Sequence, residues 1–347
     1  MNTTTVAING FGRIGRAFFK LAFAHPEINI IAVNDLGDID NLAYLLKYDT
    51  AYGRSGFEVS IIEGGLLVSH EGTEKEVRFF SEKDPLALPW KDMDIDIVVE
   101  STGVFDSYEK SKVHLEAGAK RVVISAPVKD SPRDAGVEGG TILMGINHED
   151  LAGARISSNG SCTTNAAAPL IQILHEALGV EKALLSTVHA YTATQGIVDG
   201  PARKDFRRGR AAAQNIVPAS TGAAVATTQV ITDLEGKFDG VAMRVPVIVG
   251  SIVDVTFVAS RSTTADEVND ILRTAAASDR WENIFSVTEE EIVSSDIIGN
   301  QYASLADLSF TRVVGDNLVK VLAWYDNEAG YTNVLLQHVL ESAKYIG

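Results

Sequence analysis

Residues 157–165 read SSNGSCTTN, and Cys162 within them is the only cysteine among 347 residues. A thiol does chemistry as its anion, and an unperturbed cysteine is only about 3% thiolate at pH 7. Thr163, Thr164 and Asn165 open a predicted helix running to about Leu178, so Cys162 stands immediately before its start. The unpaired N–H groups and partial positive charge of a helix N-terminus stabilise an anion. A neighbouring imidazolium would lower the thiol further, and below a pKa of about 6 the thiolate dominates. The flanking hydroxyls and backbone donors also suit an oxyanion. An inert buried residue is the commoner fate of a lone cysteine, but a polar helix start counts against it here.

Of the seven histidines, His189 is the candidate partner. It ends the strand-like LLSTV and lies in HAYTATQ, just after the helix that Cys162 precedes. A strand–helix–strand return could bring strand end and helix start together, although on spacing alone a satisfied structural histidine is the commoner case. His25, His70, His114, His148, His175 and His338 fit loops, helix surfaces or caps. No spaced cluster of ligands points to a metal, and none is expected.

A second chemical feature opens the chain. Gly10-Phe11-Gly12-Arg13-Ile14-Gly15 fits G-x-G-x-x-G between a strand at Val6–Asn9 and a helix from Arg16 to Ala24. Alone the pattern is weak. Its context strengthens it: a further strand, Ile28–Val33, leads to Asp35, twenty residues beyond Gly15. Glycines permit the tight turn and close approach to a pyrophosphate, which sits at the positive end of the helix dipole. Asp35 can accept hydrogen bonds from the adenosine ribose and would repel a 2′-phosphate, which favours NAD over NADP.

These groups need two scaffolds, and a chain of this length supports two cores. Further strands at Ile95–Val99 and Val122–Ser125 predict a doubly wound, mostly parallel Rossmann sheet. Residues 131–141 read as a surface loop. Beyond Ile156 long strand-like runs at Leu184–Val188, Val241–Val249, Ile252–Ala259 and Val319–Trp324 predict an α+β domain with a mostly antiparallel sheet. The last helix, about Tyr331 to Tyr345, could gather Val334, Leu335, His338, Val339 and Ala343 on one face.

Composition narrows the function. A net charge of −16 argues against a nucleic-acid protein that works through a broad basic surface. Anionic substrates would then need a local basic patch. PARKDFRRGR at 201–210, with five basic residues against one acid, is the stretch that qualifies. No run of about 18 apolar residues suggests a membrane span. The N-terminus lacks the pattern of a signal peptide, and one cysteine allows no internal disulfide, so the cytoplasm is expected.

Several longer stretches carry a resemblance: INGFGRIGR at 8–16, LLKYDT at 45–50, SNGSCTTN at 158–165 and TVHAYTATQ at 187–195. DGPARKDFRRGRAAAQNIVPASTGAA at 199–224, MRVPV at 243–247 and WYDNEAGY at 324–331 extend it along the chain. In these the chain resembles the phosphorylating glyceraldehyde-3-phosphate dehydrogenases over essentially its full length. The resemblance implies an NAD-binding Rossmann domain at 1–158, joined by a C-terminal helix at 328–347, and a catalytic domain at 159–327. It implies Cys162 as nucleophile and His189 as its base and activator. Arg244 and Thr192 would hold the substrate's phosphate. Ser161, Thr163, Arg208, Thr221 and Gly222 would surround the phosphate anions, including the inorganic one that attacks. Gly10, Phe11, Gly12, Arg13, Ile14, Gly15, Asp35, Lys83, Thr102, Gly103, Ser125 and Asn327 would hold NAD, with Asn327 on the nicotinamide amide.

The implied reaction oxidises glyceraldehyde 3-phosphate through a cysteine thioester, which inorganic phosphate cleaves to 1,3-bisphosphoglycerate, in a homotetramer. The basic stretch at 201–210 would belong to a loop at subunit contacts near the cofactor. Two departures stand out. Ala166 replaces a second cysteine that many relatives carry, and Leu36 and Pro201 look like the NAD-using members. An erythrose-4-phosphate dehydrogenase is the rival enzyme, disfavoured by the intact HAYTATQ and PASTGAA segments. A catalytically silent NAD-binding regulator is disfavoured by retention of Cys162, His189, Arg208 and Arg244 together.

Overall fold

The computed structural model describes residues 3–202 and 205–346. Arg203 and Lys204 of the basic stretch lie outside the described residues. The chain divides into two compact units, one of Met1–Gly160 with Leu335–Gly347 and one of Ser161–Val334.

The first unit opens with β1 (Thr4–Asn9), α1 (Arg13–Ala22), β2 (Ile28–Asn34) and α2 (Ile39–Lys47). A small ladder of β3 (Tyr48–Asp49) and β4 (Gly53–Arg54) follows, then β5 (Glu58–Ile62), β6 (Gly65–His70) and β7 (Thr73–Phe80). The unit continues with β8 (Ile97–Glu100), α3 (Tyr108–Glu116), β9 (Arg121–Ile124), β10 (Gly139–Thr141) and β11 (Ile156–Ser158). Nine strands form one sheet in the order β10-β11-β9-β8-β1-β2-β7-β6-β5. Pairings from β10 to β7 are parallel, while β5, β6 and β7 meander antiparallel at one edge. The central strands read IVVE and RVVI because both faces of a parallel sheet are covered, and all eight of those residues are buried. This is the doubly wound sheet that the strand–helix alternation predicts.

Two local expectations change. The first helix begins at Arg13, three residues earlier than predicted, because Gly12 already serves as its N-cap. Gly139–Thr141, read as loop, pairs with Ile156–Ser158 as an edge strand. A glycine run hides a strand from pattern reading, since it carries no alternating side chains.

The second unit holds α4 (Cys162–Leu178), β12 (Val180–Ala190), β13 (Val217–Ser220), α5 (Ala223–Val230), β14 (Phe238–Val245) and β15 (Ser251–Ala259). After these come α6 (Ala265–Ala276), β16 (Phe285–Thr288), β17 (Ser304–Val314), β18 (Leu318–Tyr325) and the start of α7 (Ala329–Ala343), which belongs to the first unit from Leu335 onward. The sheet order is β13-β14-β12-β15-β18-β17-β16. Only β12–β14 and β16–β17 are parallel, so the expected antiparallel character holds. Along β15 buried and half-buried residues alternate strictly, the period of a sheet with one face on a core. β14 stops at Val245 because Pro246 cannot donate to the ladder. The final helix is not amphipathic as expected: Tyr331 to Leu336 are buried without interruption.

Candidate active site

The elements of the second unit converge on Cys162. Helix α4 starts at Cys162 itself, one residue earlier than predicted, with Ser161 as its N-cap. The Ser161 hydroxyl accepts from Thr164 N at 3.0 Å, while Thr164 Oγ1 accepts from Ser161 N at 3.3 Å, completing a capping box. Ala166–Ala168, Leu170, Ile171 and Leu174 anchor the helix by burial, and Gly179 ends it with φ +68°. The chain then turns into β12, whose C-terminal end carries His189. In register, His189 lies beside Arg244 on the parallel neighbour β14. At the same end Ser251 Oγ accepts from Ala190 N at 3.1 Å, and Ser251 pairs with Tyr325 of β18.

The result is a compact reactive group. Cys162 Sγ lies 3.4 Å from His189 Nε2. On the far side of the ring, Nδ1 lies 2.6 Å from the Ala190 carbonyl oxygen and 2.6 Å from Arg244 Nη1. Arg244 Nη1 also donates to that carbonyl at 3.0 Å. Tyr325 packs its ring edge-to-face on His189, with centroids 5.8 Å apart. Its hydroxyl meets Thr163 Oγ1 at 3.0 Å and Thr187 Oγ1 at 2.8 Å. One phenol thus ties the first turn of α4 to the strand that carries His189.

The electrostatics correct one expectation. Burial pushes the Cys162 thiol up, against the charge of Arg244 and hydrogen bonds at Thr163. Burial first, then the charge of Arg244, pushes His189 from 6.5 down to about 3; the hydrogen bond to Ala190 opposes this and Arg208 adds to it. Burial thus opposes the charge on both members of the pair, whereas the sequence reading expects thiolate and imidazolium. The first physical reason for both is desolvation; for His189 the guanidinium on the Nδ1 side adds to it, since a second buried cation is costly, while for Cys162 the same guanidinium favours the thiolate.

The remaining anion-binding candidates fall on the second unit's loops. Thr192 Oγ1 lies 2.9 Å from Thr194 Oγ1, which accepts from Arg208 Nη1 at 3.2 Å. Thr221 and Gly222 form the entry to α5, where Thr221 Oγ1 accepts from Ala223 N at 3.2 Å. The Thr163 hydroxyl is turned to Tyr325, and that of Ser161 closes the cap. Asn327 Oδ1 accepts from Gly250 N at 3.2 Å and Ser251 Oγ at 3.1 Å, so its amide N–H groups are what it can present to a ligand.

In the first unit a cleft of about 470 Å³ is lined by Gly10, Gly12, Asp35, Lys83, Ser101 and Thr102 among others. The glycines fit a dinucleotide. Gly10 has φ +99°, and a Cβ there would lie 2.6 Å from Thr102 N. A Cβ on Gly15 would lie 2.0 Å from Gly10 O, so only glycine lets α1 meet the loop. Nothing stands within 4 Å of a Cβ built on Gly12, and no side chain caps α1, which leaves its first N–H groups to face a phosphate. Asp35 is oriented by Phe11 N at 2.6 Å and Gly37 N at 2.7 Å. Arg13 donates to Asp49 at 2.6 Å from the start of α1, and Ile14 follows it in the same turn. Gly103 turns with φ +70°, and Ser125 follows β9, its N–H on Glu100 O at 2.9 Å.

Sequence reading missed several supporting residues. Glu100 accepts from Thr102 N at 2.8 Å, Thr102 Oγ1 at 2.5 Å and Asn9 Nδ2 at 2.5 Å. Behind it His114, one of the six histidines referred to loops, helix surfaces or caps, is fully buried with Nε2 on Glu100 at 3.1 Å and Nδ1 accepting from Trp90 Nε1 at 3.2 Å. His338, grouped with apolar residues on one face of the last helix, is likewise buried. Tyr325 lay within WYDNEAGY, but nothing local announces its hydroxyl's reach. No group of three or more potential metal ligands occurs among the described residues.

A dinucleotide-binding sheet, followed by a unit with cysteine at a helix start against histidine, defines a nicotinamide-dependent oxidoreductase acting through a thiol. Comparison with known proteins makes this specific. "Glyceraldehyde 3-phosphate dehydrogenase, NAD binding domain" matches residues 4–108, and the C-terminal domain of the same family matches 161–327. The glyceraldehyde-3-phosphate dehydrogenase of Clostridium pasteurianum is 46% identical over 346 residues, covering 98% of this chain and 99% of that protein. That of Clostridium acetobutylicum is 46% identical over 344 residues, 98% of each chain. Glyceraldehyde-3-phosphate dehydrogenase B of Aspergillus oryzae is 43% identical over 345 residues, 99% of this chain and 98% of its own. The chain belongs to the glyceraldehyde-3-phosphate dehydrogenase family, and its cofactor is NAD.

Proposed function

We propose that the protein oxidises D-glyceraldehyde 3-phosphate to 1,3-bisphosphoglycerate with NAD and inorganic phosphate, the reaction of glycolysis and gluconeogenesis. The observation that carries this is the 3.4 Å approach of Cys162 Sγ to His189 Nε2, with Arg244 against the same imidazole, in a chain of this family. Sγ adds to the aldehyde carbon, and the thiol proton passes to Nε2. The oxyanion so formed accepts from that Nε2–H and from the Cys162 backbone N–H, left open at the helix start. Bound NAD supplies the hydride acceptor. His189 takes back the hydroxyl proton, so that a thioester forms on Cys162. Arg244 and Thr192 hold the substrate's phosphate, and Ser161, Thr163, Arg208, Thr221 and Gly222 the attacking phosphate. A phosphate held in place outcompetes water for the thioester by position.

The cofactor side follows the cleft of the first unit. Backbone from Gly10 to Gly15 takes the pyrophosphate and Asp35 the ribose, while Lys83, Thr102, Gly103 and Ser125 line the remainder and Asn327 takes the nicotinamide amide. Self-association is supported by the segment 197–216, where Ile197 is 84% and Phe206 83% exposed, an unusual display of large apolar groups. A homotetramer is the assembly we infer from it and the family. No helix among the described residues is long and apolar enough to cross a membrane, and we place the protein in the cytoplasm.

The test is NADH formation from glyceraldehyde 3-phosphate with inorganic phosphate present or omitted. Strong phosphate dependence is expected. Turnover indifferent to phosphate, with preference for erythrose 4-phosphate, would replace this reading by the hydrolytic relative, and no turnover at all would leave an NAD-binding regulator.

A further inference from the structure

The polar residues behind the cleft of the first unit form one connected chain. Its members stand one or two positions before residues that line the cleft: Asn9 before Gly10, Asn34 before Asp35, Glu82 before Lys83 and Glu100 before Thr102. Glu82 N donates to Asn34 Oδ1 at 2.8 Å, and Asn34 Nδ2 donates to Glu82 O at 3.0 Å and to Asn9 Oδ1 at 2.7 Å. That fixes the Asn9 amide, whose Nδ2 donates to Glu100 Oε2 at 2.5 Å. From the other side Trp90 Nε1 can only donate, so His114 Nδ1 accepts and its ring carries a proton on Nε2, 3.1 Å from Glu100 Oε2. Thr102 N donates to Glu100 Oε1 at 2.8 Å. Thr102 Oγ1 accepts from Val104 N at 3.0 Å and donates to the same carboxylate oxygen at 2.5 Å. Every partner of Glu100 is a donor, so the chain closes only on a carboxylate that accepts from all of them. Asn9, Asn34, Trp90, Glu100 and His114 are buried, where a polar chain is tolerated only if it is satisfied throughout.

We propose that Glu100 is a positioning residue for NAD: as the common acceptor of this chain it holds the segments after β8, β1, β2 and β7 at the spacing the cofactor needs. This rests on the cofactor reading of the cleft and adds to it. The four strands are parallel neighbours in the sheet, in that order, and ligands of a doubly wound sheet bind at the C-terminal strand ends. The side-chain chain crosses them in the same order, from Glu100 to Asn9, Asn34 and Glu82. Ser101 adds a further tie by donating to Gly10 O at 2.7 Å. Segments set before the ligand arrives need less ordering when it binds, which strengthens binding without a new contact. Glu100 acts through Thr102 and Asn9, and its charge is what the role requires. Glutamine, of the same shape, has one acceptor oxygen, and its amide N–H groups meet Thr102 N on one side or Asn9 Nδ2 on the other.

The experiment compares the full-length native protein with Glu100→Gln by hydrogen–deuterium exchange, calorimetric titration with NAD and steady-state kinetics. In the native protein without NAD, the peptides carrying the Thr102 and Glu82 amides should exchange slowly, as preformed segments require. Glu100→Gln should speed exchange at both, although Glu82 is reached only through Asn9 and Asn34. It should raise the Kd and KM for NAD about tenfold, the order of loss for an unpaired buried donor, while kcat at saturating NAD changes by less than about threefold. Native Kd and KM in folded Glu100→Gln, with or without a lowered urea midpoint, would reduce Glu100 to a structural residue and overturn the proposal. So would a loss confined to kcat, or fast exchange at Thr102 and Glu82 in the native protein without NAD. That native arm decides even where the variant does not fold. Failure of the cleft reading shows separately, as exchange over residues 10–15 of the native protein that NAD leaves unchanged.

Discussion

His189 and His338 are both buried, and burial is the first cause that pushes each from 6.5 down to about 3. Their surroundings differ in kind. His338, on α7, has Nε2 on Ser157 Oγ at 2.7 Å and Nδ1 on Asn159 Oδ1 at 3.2 Å, two neutral partners from the end of β11. Both nitrogens are engaged with groups that do no chemistry, and the ring ties a helix to a sheet. His189 instead faces a thiol on one side and, on the other, a carbonyl and the guanidinium that donates to it. Burial pushes both imidazoles the same way; what separates a structural histidine from a reactive one is whether its partners can do chemistry.

Four experiments test or refine that contrast, from the largest expected effect downward. His189→Asn should lower kcat by about 10²–10⁴-fold, the range for loss of a general acid–base, while leaving the urea midpoint near native. A kcat within a few-fold of native would put the two histidines in one class. His338→Ala should do the reverse. It opens a cavity and strips partners from two buried polar groups, which costs about 2–4 kcal/mol in urea unfolding, with kcat per folded molecule retained.

The third concerns acid. Both imidazoles titrate near 6.5 when unfolded and near 3 when folded, so between those values the unfolded chain binds more protons. Stability should therefore fall as pH drops from about 6.5 towards 3, each histidine contributing up to about 1.4 kcal/mol per pH unit. Removing His338 should reduce that slope by one proton, measurable from unfolding at a series of pH values; an unchanged slope would mean His338 takes up a proton while folded. The smallest effect is that of Tyr325→Phe. It unties Thr163 from Thr187 and should cost about 1 kcal/mol of stability and less than tenfold in kcat, since the ring that packs on His189 remains.

Much of the catalytic half was readable before any fold. Cys162 announced itself by its polar setting at a helix start; His189 stood at a strand end one return later, where spacing alone favoured a structural histidine and the family resemblance gave it the role of base. The glycine loop was readable because positive φ and close backbone approach leave few residue types to choose from, as Gly10 and Gly15 show. The supporting groups were not. Glu100, His114 and Asn9 lie far apart along the chain and meet only through parallel pairing of β1 with β8 and the packing of α3, and Tyr325 reaches His189 only because β18 pairs with β15. The edge strand at Gly139–Thr141 was hidden for a different reason, its lack of side chains.

The protonation of the reactive pair shows the division most plainly. Residue type and local spacing determined that a thiol would stand at a helix start and that a histidine would end a strand, since those follow from propensity, capping and hydrophobic period. Whether sulfur and imidazole carry charge was decided by the tertiary structure, because charge depends on desolvation and on neighbours in space. Strand register puts Arg244 beside His189 across 55 residues of chain, and no sequence interval records a register.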